Sequence, residues 1–119
     1  MDLAGRWDLV IEEGVKFVRV FLIEESDGSA MDISSYTITM KIRPHAESAT
    51  VIATTVTSPL ITAAFTGDGT DGKFDITIEA AVTAVLDFTR GVYDIKITNG
   101  TTIYRILQGN VRLDREVTY

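Results

Sequence analysis

The sequence holds one histidine, His45, and any mechanism that needs an imidazole would have to use it. His45 follows Pro44 in a polar stretch. A zinc site wants further nitrogen or sulfur ligands at defined spacing, and a chain with one His and no Cys does not supply them. His45 therefore reads as a solvated loop residue. A Ser-His-Asp arrangement would depend on the same residue, and no Gly-x-Ser-x-Gly elbow presents a serine nucleophile. Asp68 and Asp71 in GDGTDG suggest a calcium loop at a glance. An EF-hand, however, needs oxygen ligands at alternate positions and a glutamate at the twelfth. The stretch reads instead as a turn, for which Asp and Gly are standard residues. Lys73 follows Gly72 without a phosphate-cradling GxxxxGK[ST]. Glu12-Glu13 and Glu24-Glu25 are adjacent acids, but strand neighbours face opposite ways, so neither pair forms a carboxylate dyad. No catalytic, cofactor-binding or metal-ligating residue is assigned, and an enzyme is not expected.

Aromatic rings are the remaining place for a ligand. Trp7, Tyr36, Phe74, Tyr93 and Tyr104 are scattered among candidate strands, and a sugar-binding module would need two or three of them coplanar and exposed. Core packing is the simpler reading. Arg105 is the oddest residue, because it lies between Ile103 and Leu107 on a face expected to point inward. Either the strand bulges there, or Arg105 meets a carboxylate or a neighbouring subunit. It is the one candidate for an inter-subunit contact.

The elements that must position these residues follow from periodicity. Tyr93, Ile95 and Ile97 alternate with Asp94, Lys96 and Thr98. Asn99-Gly100 then suits a type I′ turn, and the return strand carries Ile103, Leu107, Val111 and Leu113 on one face, with Tyr104 and Ile106 on the other. Upstream, RWDLVIE (6–12) is a strand with Trp7, Leu9 and Ile11 on one side. VKFVRVFLI (15–23) is apolar on both faces: Phe17, Phe21 and Ile23 on one, Val18, Val20 and Leu22 on the other. That pattern predicts a central strand, or one whose outer face a partner covers. Turn residues at 26–29 precede YTITMKIR (36–43), where Tyr36, Ile38, Met40 and Ile42 face inward and Pro44 ends the ladder. A polar loop at 44–50 leads to short strands at 51–57 and 60–65. KFDITIE (73–79) is a clean strand with Phe74, Ile76 and Ile78 inward. AAVTAVLDF (80–88) is the one helix-like stretch, a short connector packed over one end by Val82, Leu86 and Phe88.

About seven strands at roughly ten-residue spacing predict an all-β, antiparallel sandwich. A chain of 119 residues, 45% hydrophobic and 24% charged, is enough for one core and one domain over 1–119. Eleven basic against seventeen acidic residues give a net charge of −6, which argues against a phosphate-backbone partner. The lack of cysteine suits a reducing cytoplasm. The start lacks the basic and apolar regions of a signal peptide, and the apolar runs are far short of the roughly 20 residues a membrane helix needs. A soluble protein is expected.

Three segments together resemble a family of small tail and baseplate proteins of tailed bacteriophages. RWDLVIEEGVKFVRVFLI resembles the family's opening, with an aromatic residue, Leu, Ile-Glu, Gly and Phe at set spacing. SYTITMKIRP resembles its aromatic-started strand ending in Ile-Arg. FTRGVYDIKITNGTTIYRILQGNVRLDREVT resembles its closing Gly-x-Tyr-Asp, turn, Arg, Gly-x-Val and Glu-Val-Thr, and TAVLDF matches the helical connector. The resemblance covers nearly the whole chain. It implies an immunoglobulin-like sandwich, similar to the N-terminal anchoring domains of baseplate receptor-binding complexes. The matching positions are Gly14, Phe17, Tyr36, Arg43, Gly91, Tyr93, Asp94, Gly109 and Val111, read as turn and core residues with Asp94 and Arg43 as polar partners. No catalytic residue comes with the family.

With no receptor-binding domain after Tyr119, a connector or accessory role is expected rather than host recognition. The expectation is a structural virion protein, made in the host cytoplasm and placed in the tail or baseplate. It would contact other tail or baseplate proteins in multiple symmetric copies, with no nucleic-acid, membrane or cofactor partner. Residues 1–6 and 114–119 are candidate tethering arms. The alternatives are a carbohydrate-binding module on the virion and a capsid decoration protein.

Overall fold

The computed structural model describes residues 5–25, 27–45, 47, 51–55, 60–86 and 88–114. The strands are β1 (Gly5–Arg6), β2 (Leu9–Glu12), β3 (Phe17–Leu22), β4 (Thr37–Arg43), β5 (Ala53–Thr54), β6 (Thr62–Phe65), β7 (Lys73–Ile78), β8 (Arg90–Asn99) and β9 (Thr102–Asp114), with one helical turn, α1 (Ala80–Thr83). A large sheet runs β1-β9-β8-β4-β5, with β2 also on β9, and a small one runs β3-β7-β6. That partition is the immunoglobulin-like one, three strands facing a sheet built on the last hairpin. All pairs are antiparallel except that β1 and β2 run parallel to β9.

The core is filled by alternate residues of both sheets. Met40 and Ile42 of β4, Phe74, Ile76 and Ile78 of β7, and Ile95 and Ile97 of β8 are fully buried, as the period of two predicts. Phe21 stacks on Phe74 with ring centroids 5.3 Å apart. The connector between β7 and β8 is helical for four residues only. Leu86 is buried, while Val82 and Phe88 pack against the core. Thr83 is its anchor, fully buried, with its hydroxyl 2.9 Å from the Val15 carbonyl oxygen.

Four expectations are corrected. First, 6–12 is two strands, not one, and Trp7 is 55% exposed while Leu9 and Ile11 are buried. The chain kinks at Trp7-Asp8, which turns the Trp7 carbonyl inward, where it accepts a hydrogen bond from the Tyr93 hydroxyl. The ladder survives on either side because the Trp7 N–H donates to the Gln108 carbonyl and the Asp8 carboxylate accepts from the Asn110 N–H, each at 3.0 Å. Gly109 leaves the space: a Cβ there would lie 2.2 Å from the Trp7 oxygen. Second, β3 is not central. It ends the small sheet, paired only to β7 among the described residues.

Third, the β8–β9 turn sits one residue later than Asn99-Gly100. Asn99 pairs with Thr102, so Gly100 and Thr101 are the central residues, and Gly100 has φ +61°. Glycine at the first central position is the other standard two-residue hairpin. Fourth, the inward set on β9 changes. The register shifts opposite Ile95/Lys96, so β9 carries one extra residue there. Before the bulge Tyr104 and Ile106 face in; after it Val111 and Leu113 do; Ile103 is 60% exposed. A strand of constant period cannot make that switch, and a bulge can.

Of the expected short strand at 51–57, Ala53–Thr54 forms β5, while 56 and 57 lie outside the described residues, as do most of 44–50. Of the candidate arms, Gly5, Arg6 and Asp114 belong to strands of the large sheet, and 1–4 and 115–119 lie outside the described residues.

Candidate protein-interaction site

Alternation places one set of charges on the outer face of the large sheet. Strand positions facing away from the core include Lys41 and Arg43 on β4, Arg90 and Lys96 on β8, Arg105 and Arg112 on β9, and Arg6 on β1. Seven of the chain's eleven basic residues thus share one face. Among the described residues four carboxylates lie on that face: Asp94 at the centre, Asp8 against the Asn110 N–H beside Arg90 and Arg112, and Glu12 and Asp114 at one margin. The face carries +3 on a chain whose total is −6, which leaves −9 for the rest.

At the centre lies a shallow concavity of about 210 Å³ whose lining includes Arg6, Lys41, Arg43, Asp94, Arg105 and Gln108. Asp94 is its hub. Arg105 Nε stands 3.6 Å from the carboxylate, and Arg43 Nη1 and Lys96 Nζ each stand 3.9 Å away. These are charge contacts longer than hydrogen bonds. Asp94 is mostly shielded, at 17% side-chain exposure, whereas Arg105 is half exposed at 50%. Arg43 and Asp94 are therefore ion partners, as the resemblance implies. Arg105 faces outward because of the bulge and also meets a carboxylate, so two of the alternatives left open for it hold together.

A second surface lies on the small sheet. Val18, Val20 and Leu22 of β3 point away from the core and are each more than half exposed. Their cross-strand neighbours on β7 are Thr77, Asp75 and Lys73. On the other face of β3, Arg19 sits between Phe17 and Phe21 with its guanidinium carbon 5.8 Å from the Phe17 ring centre. Val10 and Val15 are exposed beside Val18, where β2 and β3 approach along one flank. Apolar surface in a row on an edge strand is the kind of feature soluble monomers avoid.

The acids gather at one end. Glu24, Glu25, Asp27 and Asp32 lie in the β3–β4 connection, and Asp68 and Asp71 in the β6–β7 turn. The Ile33 N–H donates to the Gly69 carbonyl at 3.0 Å, which binds the two loops together. Asp27, Asp32 and Asp68 repeat one device. Each accepts, through Oδ1, the hydroxyl and the backbone N–H of the Ser or Thr two residues on. The hydroxyl bond first, and the N–H bond second, hold all three carboxyls below the usual value of 3.8. The spacing Asp-x-Ser/Thr was visible in the sequence and its repetition was missed.

The remaining candidates have no shared geometry. His45 is exposed in the loop after β4, and no group of three or more potential metal ligands forms among the described residues. Asp68 and Asp71 belong to a turn with Gly67, Gly69 and Gly72 at positive φ. Phe74 and Tyr93 are core residues, Tyr36 and Tyr104 are half-buried at 6.3 Å from each other, and Trp7 is the one exposed ring of the five. Burial pushes the Tyr93 hydroxyl well above the usual 10.0, helped by the Asp8 charge and opposed by Arg19 and Arg6. No described helix is long and apolar enough to cross a membrane.

No family model matches the chain, and no curated protein matches it. Solved structures to which the chain is similar include two of different kinds. One comes from photo-crosslinking work on multimeric cell-adhesive interactions of VGSC beta subunits, with a TM-score of 0.45 and 10% identity over 95% of this chain and 93% of that one. The other is an inferred receptor binding domain of the human endogenous retrovirus envelope EnvP(b)1, with a TM-score of 0.39 and 10% identity over 92% and 91%.

Proposed function

We propose that the chain is a non-enzymatic structural protein of a tailed-phage virion, a connector or fibre-attachment component of the tail or baseplate that works by protein–protein contact. The observation that carries the contact reading is β3, which among the described residues is an edge strand with an unpaired side and an exposed apolar row at Val18, Val20 and Leu22. A neighbouring chain can add a strand to such an edge through backbone hydrogen bonds and cover the row with its own side chains. The virion setting is supported by the sequence resemblance along nearly the whole chain. Two of its shared positions serve one local device, since Tyr93 and Gly109 both hold the kink between β1 and β2.

The test is mass spectrometry of purified particles from a producing lysate, with gold labelling of a tagged copy and a parallel Val20→Lys variant. Wild type in the tail, with the variant folded but missing from particles, supports the reading. A head location replaces the tail role with capsid decoration. Absence of the wild-type chain from every particle ends the virion proposal.

A further inference from the structure

We infer that the basic outer face of the large sheet receives the acidic loop end of a second copy of this chain, so that copies associate head to tail. The inference deepens the multiple-copy part of the proposed function and rests on it. On the receiving face, Arg6, Lys41, Arg43 and Arg105 surround a concavity whose one carboxylate, Asp94, is shared among three cations at 3.6–3.9 Å. One carboxylate does not use the donors of two guanidinium groups and an ammonium. An arginine fork left over in this way is suited to a second, bidentate carboxylate.

The inserting end is matched to it. Six carboxylates project from two joined loops, with Lys73 at their margin. Asp27, Asp32 and Asp68 commit Oδ1 to their own turns, which fixes the side chains and leaves Oδ2 for a partner. Their depressed protonation keeps them charged throughout the physiological range. Face and end occupy different parts of the molecule, so one copy can use both at once. A contact between two unlike surfaces is heterologous, and repeats into a ring or an open filament. A nucleic-acid duplex fits less well. It carries a charge every ~1.7 Å and would overrun the basic face onto a remainder of −9.

Sedimentation velocity tests the contact on the full chain at about 50 and about 500 mM NaCl, a range over which screening of exposed charges becomes nearly complete. Two variants are compared, Lys41→Gln/Arg105→Gln on the face and Glu24→Gln/Glu25→Gln at the end. Thermal melts of both variants check that each retains the fold. The wild type should associate, with an association constant falling about tenfold or more at high salt. Each variant alone should associate about tenfold or more weaker at low salt. Mixing the two should restore one tight contact and stop at a heterodimer, because each pair then holds one intact face and one intact end.

A wild type that stays monomeric at low salt overturns the inference, as does association that neither variant weakens. Salt-insensitive association abolished by Val20→Lys would also overturn it, while leaving the multiple-copy reading in place. Binding of a labelled DNA duplex of about 20 base pairs by monomeric wild type, lost in Lys41→Gln/Arg105→Gln, would reassign the face to a polyanion.

Discussion

Replacing Gly109 by alanine should cost far more than its one methyl group suggests. The added Cβ would stand 2.2 Å from the Trp7 carbonyl oxygen, 2.8 Å from its carbon and 3.1 Å from Asp8 Oδ1. Relief requires the kink to retreat by more than about 1 Å, since carbon and its neighbours pack at roughly 3.5–4 Å. Three bonds resist that retreat: Tyr93 hydroxyl to Trp7 carbonyl, Trp7 N–H to Gln108, and Asn110 N–H to Asp8. At about 1 kcal/mol each, with a further penalty for a carbonyl left unpaired against the core, the loss is about 2–4 kcal/mol. Tyr93→Phe removes one of the three and should cost about 1–2 kcal/mol. Because both changes act through the Trp7 carbonyl, the double variant should be less destabilised than the sum by about 1 kcal/mol. Urea denaturation of the four proteins measures all of this. Gly100→Ala is the control for backbone strain alone, with φ +61° and open space around it. A cost below about 0.5 kcal/mol for Gly109→Ala, or strict additivity with Tyr93→Phe, would refute the shared-carbonyl argument.

Other outcomes follow from the same structure. Tyr93 holds its proton more tightly folded than unfolded, so the stability it contributes is complete below pH 10.0 and is lost as pH rises through the higher folded value. Wild type should therefore weaken with rising pH from about 10 more steeply than Tyr93→Phe, in urea midpoints measured at successive pH values. Asp27 behaves in the opposite sense: its stabilising bonds are present above 3.8 and lost as pH falls through its lower folded value. Carboxyl NMR titration of Ser29→Ala should show the Asp27 midpoint rising toward 3.8, with Asp32 and Asp68 unmoved. Thr83→Val keeps the shape but strips the hydroxyl from the Val15 carbonyl and should cost about 1–2 kcal/mol in the same denaturation assay.

The sandwich was legible where alternation is strict and each strand has one buried face. β4, β7 and β8 are of that kind, and Met40, Ile42, Phe74, Ile76, Ile95 and Ile97 all landed inside. Reading failed where the chain departs from a constant period. Nothing in RWDLVIE marks the kink, because its cause is Gly109 about a hundred residues away and a tyrosine on a third strand. The β9 bulge was anticipated only as one way to account for Arg105, and it moves Ile103 outward along with that arginine. β3 failed for a different reason. Apolar residues on both faces are shared by a buried central strand and by an edge strand with an uncovered face, and strand order decides between them.

Net charge is an average and does not answer a local question. A net −6 argues against a polyanion only if the charges are mixed, and here alternation along four strands sorts seven basic residues onto one face while turn chemistry draws six acids to one end. The two groupings have separate physical causes. Turns select Asp for its bonds to the following Ser or Thr, whatever its charge does elsewhere. Outward strand positions need only be polar, and neither packing nor backbone pairing requires them to be basic. An acidic end can therefore arise from folding alone, whereas a face of +3 with one shielded carboxylate at its centre has no equivalent folding rationale. For that reason the arginines around Asp94, more than the aspartates of the loops, are the residues whose substitution should alter association without altering stability.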